Sequence, residues 1–133
     1  MANTPASELR TFEVLVPAGT AKAAPLTTAL TMPARIVEHA EVRVPPGPNG
    51  SVGWALGAAG VRVFPYGAGT WVVADNETIP IPVEGAVETG AWQLQAYNIG
   101  RWDHTLYVRF RVRPPAGRPA PVLIAPLDLE AVP

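Results

Sequence analysis

His39 and His104 are the two histidines of a 133-residue chain that contains no cysteine, and they bound the chemistry open to it. A histidine serves as a general base or metal ligand only with partners at suitable spacing. Neither stands in a His-Glu-x-x-His pattern, so a zinc site is not expected. His39 and Glu41 project from one face of an extended strand, where ligands from elsewhere could complete a metal site, but a solvated polar face is the simpler expectation. Asp103-His104 falls at a strand start, where turn roles prevail. Glu38 and Glu41, three residues apart, are expected on opposite strand faces and so could not flank one scissile bond. Without cysteine, thiolate catalysis, disulfides and cysteine-ligated metals are excluded together. Gly57-Ala58-Ala59-Gly60 and Gly67-Ala68-Gly69 lack the strand-to-helix setting of phosphate and dinucleotide loops, and no Gly-x-Ser-x-Gly elbow occurs. No catalytic residue, cofactor or metal ligand is assigned, and an enzyme is the least favoured class.

Residues suited to binding are more numerous. Arg109, Arg111 and Arg113 alternate along one strand as a one-sided basic row, which Arg118 extends. Such a row is either a solvated strand face or a surface that meets carboxylates on a partner protein. Nucleic acid is not expected, because the row has few aromatic stacking partners and the formal net charge is -1. Trp92 shares its face with Leu94 and reads as core. Tyr66 and Trp102 lie in or beside glycine-bearing turns and read as exposed anchors for a protein or a sugar. Beyond Arg113 the chain turns to Pro114-Pro115-Ala116-Gly117-Arg118-Pro119-Ala120-Pro121, then to Val122, Leu123, Ile124 and Leu127. Ordering residues 114–133 costs roughly 1 kcal/mol each, while burying these four side chains with Leu129 and Val132 returns about 1.5 to 3 kcal/mol apiece. The two sums are comparable, so this segment reads either as an arm that orders where a neighbour offers a groove or a strand edge, or as a disordered linker.

These residues must be held by strands. Sixteen prolines and twelve glycines exclude long helices, since an interior proline costs ~3 kcal/mol there. Arg10–Val16 alternates Phe12, Val14 and Val16 against Thr11, Glu13 and Leu15. Leu26–Met32 is extended. In the run after it Ile36, Ala40, Val42 and Val44 share a side, with Glu38 a misfit on the apolar side and Val37 on the polar one. Pro45-Pro46-Gly47-Pro48-Asn49-Gly50 is the strongest turn signal and reads as an exposed loop tip. Strands are also expected over 51–58, 61–64, 70–74, 91–98 and 104–113. In Thr78–Val83, Pro80 and Pro82 remove N–H groups from the same side, which marks an edge strand blanked outward. The expected fold is all-β, an antiparallel sandwich or jelly roll over 10–113, with a flexible lead-in at 1–9 and a proline-rich arm at 114–133. No segment approaches the ~20 apolar residues of a membrane span, and Met1-Ala2-Asn3-Thr4-Pro5 has no export-signal pattern. Nine of the ten basic residues are arginine, a bias that fits a high-GC genome.

The run Trp92-Gln93-Leu94-Gln95-Ala96-Tyr97-Asn98-Ile99-Gly100, followed by His104-Thr105-Leu106-Tyr107-Val108-Arg109-Phe110, resembles small virion proteins of tailed phages that infect actinobacteria. The Pro45–Gly50 loop and the Phe64-Pro65-Tyr66-Gly67 block before Trp71 fit the same family. The resemblance implies a structural β protein of the head or tail. A head decoration or cement protein is favoured, bound to the major capsid protein on the capsid exterior, as a homotrimer, after assembly in the host cytoplasm. It brings no catalytic residues, and neither nucleic acid nor membrane is an expected partner. Two rival classes remain: a host-attachment or carbohydrate-binding module using Tyr66, Trp71 or Trp102, and a ring-forming tail or connector component.

Overall fold

The computed structural model describes residues 7–83 and 87–113, the side chains of 87–89 excepted. Among the described residues there are eight strands: β1 (Glu8–Val16), β2 (Leu26–Val44), β3 (Val52–Ala58), β4 (Val61–Phe64), β5 (Val72–Val73), β6 (Glu77–Ile81), β7 (Val87–Asn98) and β8 (His104–Arg113). All pairings are antiparallel, in the order β1-β8-β2-β7-β3-β4, with β5 on β3 and β6 on β2. Glu8 and Leu9, expected in the lead-in, already pair with Val112 and Arg111. The arm at 114–133, with Arg118, Val122, Leu123, Ile124 and Leu127, lies outside the described residues.

One connected ladder becomes two layers because β2 folds back on itself. Phe110 of β8 lies opposite Ala40, and Trp92 of β7 opposite Leu30. Ten residues of straight strand span roughly 33 Å. Yet the Trp92 and Phe110 rings sit 4.9 Å apart, so the two halves of β2 must face each other. The register breaks between Thr31 and Arg35, around Pro33, where the fold-over occurs. A Cβ on Gly90 would come within 2.0 Å of the Met32 carbonyl oxygen, so only glycine lets β7 pass the bend. One layer is β1-β8-β2-β6, using the second half of β2. The other is β2-β7-β3-β4, using its first half. This is the all-β sandwich expected from the alternation.

A second irregularity resolves the misfits in β2. The register with β8 shifts between Val37 and His39, placing Val37 opposite Val112 and Ala40 opposite Phe110. Three residues of β2 therefore match two of β8, a β-bulge that reverses the inside-outside phase. Val37, not Ile36, joins the central core, while Ile36 is buried on the other face. The bulge also corrects the expectation that Glu38 and Glu41 face opposite ways. Both project outward, toward Arg113 and Arg109.

The core between the layers holds Leu30, Trp54, Leu56, Trp92, Leu94, Leu106, Val108 and Phe110, all fully buried. Burial of such side chains is worth about 1.5 to 3 kcal/mol each. Strand β3 is buried along its whole length, because its small outward residues are themselves covered. The Tyr97 ring lies over Gly53 so closely that a Cβ there would come within 2.3 Å of it. Trp71 packs edge-on against that ring, with Arg62 over Trp71. The strand expected over 70–74 shortens to Val72–Val73. Strand β6 pairs with β2 as expected of an edge, with Pro80 opposite Glu41.

Candidate interaction surface

Because β2 begins and ends at the same end of the sandwich, four connections gather there: 17–25, 45–51, 74–76 and 99–103. Asn98, wholly buried, ties the end of β1 to two of these connections, 17–25 and 99–103. Its Nδ2 donates to the carbonyls of Val16 at 3.0 Å and Trp102 at 2.7 Å, and its Oδ1 accepts from the Gly100 N–H at 2.9 Å. Every hydrogen-bonding position that the fold needs from this amide is used, which is what a buried polar group requires. The Asn98 N–H donates to Thr20, and the Ile99 N–H to Ser51. Asp103 accepts from the Ala18 N–H at 2.8 Å.

The 45–51 loop is less free than its composition implies. Asp75 Oδ1 accepts from the N–H groups of Gly47 at 2.9 Å and Asn49 at 3.1 Å. Pro48 is buried, while Pro46, Gly47, Asn49 and Gly50 are exposed as the turn signal predicts, Asn49 and Gly50 with positive φ at the tip. On this fastened base stand two large apolar side chains, Ile99 at 65% exposure and Trp102 at 71%. Trp102 is thus the exposed anchor its turn predicts. Tyr66 is equally exposed, on the β4–β5 connection at the edge of the other layer.

The basic row occupies the outer face of β8. Arg109 donates to Glu41 at 3.0 Å, and Arg113 pairs with Glu38 at 3.1 Å, so β2 supplies carboxylates from within the chain. His39 lies 3.5 Å from the second oxygen of Glu41. The hydrogen bond from Arg109 outweighs partial burial and holds the Glu41 carboxyl below the usual carboxylate range. Arg111 alone of the three makes no ion pair among the described residues. With Leu9, His39, Glu41 and Arg109 it rims a hollow of about 200 Å³. A larger hollow, about 570 Å³, crosses β2 and β7 on the other layer beside Ala29, Thr31 and Gln93. Among the described residues no group of three or more His, Asp or Glu could hold a metal ion.

Sequence reasoning missed Asn98, Asp75, Ile99 and the exposed leucines of β1. Two signals were present: Asn98-Ile99-Gly100 has the spacing of an asparagine that caps its own turn, and Leu15 interrupts the polar phase of β1.

No protein-family model matches the sequence, and no curated protein matches it. Among solved structures, a chain from the "Cyanophage Pam1 capsid asymmetric unit" shares the fold, with a TM-score of 0.54 and 16% sequence identity. The likeness spans 86% of this chain and 89% of that one.

Proposed function

We propose that the protein is a structural component of a phage virion: a decoration or cement protein that binds the major capsid protein on the outside of the head. The observation that carries this reading is the fold shared, nearly end to end, with a chain of a cyanophage capsid assembly. The resemblance to virion proteins of actinobacterial tailed phages points the same way. At 16% identity the likeness concerns the fold, so the docking role is argued from surfaces.

A rigid end carrying Ile99 and Trp102 suits insertion between shell subunits, because fastened loops lose little freedom on binding. Arg111 is placed to meet a carboxylate of the shell, and the arm at 114–133 would add a further contact, each weak interaction gaining from multivalency.

The test is addition of the purified protein to heads of its phage that lack it, followed by particle imaging. Saturable density on the outer head surface is expected. Density confined to the tail, or binding to glycans without binding to heads, would refute the decoration role.

A further inference from the structure

Among the described residues the two layers end in four free strand edges, and they are not alike. The first half of β2 pairs only with β7 over Leu26–Thr31, and Pro25 and Pro33 bound that short open stretch. Strand β4 is four residues long, and β6 carries Pro80 in its middle. Short edges and prolines both discourage the addition of another strand. Strand β1 ends the sheet, runs nine residues, and contains no proline. No other strand among the described residues covers its outer side.

Pro80 also reveals which N–H groups face outward on β1. Lacking an N–H, Pro80 sits in a non-hydrogen-bonded pair with Glu41, so Glu41 directs its N–H away from β6 and toward Arg109 of β8. Arg109 then points its own N–H to β2, away from Thr11. Thr11, and by alternation Leu9, Glu13 and Leu15, turn their N–H groups to the open edge. Their side chains share the outer face of the sheet, where Leu9 is 66% and Leu15 54% exposed.

We infer that this edge pairs antiparallel with β1 of a second copy, about a two-fold axis at Phe12. The strand is symmetric about that residue, so this register alone overlaps all nine positions. It sets Leu9 against the partner's Leu15, Thr11 against the partner's Glu13, and Leu15 against the partner's Leu9, all as hydrogen-bonded pairs. Both exposed leucines gain an apolar neighbour. Moving the axis to Glu13 would oppose two like charges, and moving it to Thr11 would leave Leu15 unmatched. The inference does not depend on the virion reading. It predicts an isologous dimer where the family resemblance implies a trimer.

The test is sedimentation of the full chain over a wide concentration range. A dimer is expected. Thr11→Pro removes an outward N–H but no bond to β8, so it should yield a monomer with an unchanged thermal melt. Leu9→Lys with Leu15→Lys, which crowds like charges into the seam, should do the same and serves if the proline variant does not fold. Because the chain has no cysteine, Leu9→Cys with Leu15→Cys reports register: a short thiol cross-linker should join two copies of the double variant and neither single variant. A monomeric or trimeric wild type, a dimer that survives both edge variants, or cross-linking of a single variant would overturn the proposal.

Discussion

The loop end and the outer face of β8 are both held by polar contacts, yet those contacts are built on opposite principles. At the loop end Asn98 is wholly buried and bonds to the backbone of segments far apart in sequence. On the β8 face Arg109 and Glu41 keep 40% and 26% of their side-chain surface exposed. Buried hydrogen bonds are costly to leave unmade, whereas exposed ion pairs are worth ~1 kcal/mol or less. The loop end therefore holds its shape, and the β8 face can exchange an internal partner for an external one at little cost.

Asn98→Ala should break this contrast most severely. It strands the carbonyls of Val16 and Trp102 and the N–H of Gly100 without partners, and should cost about 2 to 4 kcal/mol in denaturant unfolding. Asp75→Ala frees the N–H groups of Gly47 and Asn49 beside solvent and should cost about 1 to 2 kcal/mol. Hydrogen exchange at those two amides should rise in the same variant. A loss below that of the surface variants would mean the loop end is not fastened as described.

Glu41→Gln should move stability least, by under ~1 kcal/mol at neutral pH. Its pH dependence sharpens the comparison. Arg109 lowers the Glu41 pKa in the folded state, so the pair stabilises the fold above the carboxylate's unfolded pKa. That contribution is lost as the pH falls through the lower folded-state value. Melting curves of wild type and Glu41→Gln should thus differ slightly at neutral pH and converge in acid, whereas the Asn98→Ala deficit should persist. A gap between wild type and Glu41→Gln that widens in acid would contradict the assignment.

Strand periodicity carried most of the fold into view. Phe12, Val14, Trp92, Leu94, Leu106, Val108 and Phe110 face inward as their alternation demands, and the one-sided arginines stay together. The fold-over of β2 was not legible, because a strand passing through Pro33 looks like two strands in one dimension. The bulge left a trace, in the misfits Val37 and Glu38, but an inserted residue reads locally as noise. Trp102 was legible from its turn. Asn98 was not, since an asparagine at a strand end gives no sign of the carbonyls that will arrive from residues 16 and 102.

The proposed decoration role depends most on the loop end as a docking platform, which Trp102→Ala tests directly. The side chain is exposed, so the thermal melt should stay within a degree or two of wild type while affinity for phage heads lacking the protein falls at least about tenfold, as for a central interface anchor. Unchanged occupancy of the heads with the melt also unchanged would contradict that role.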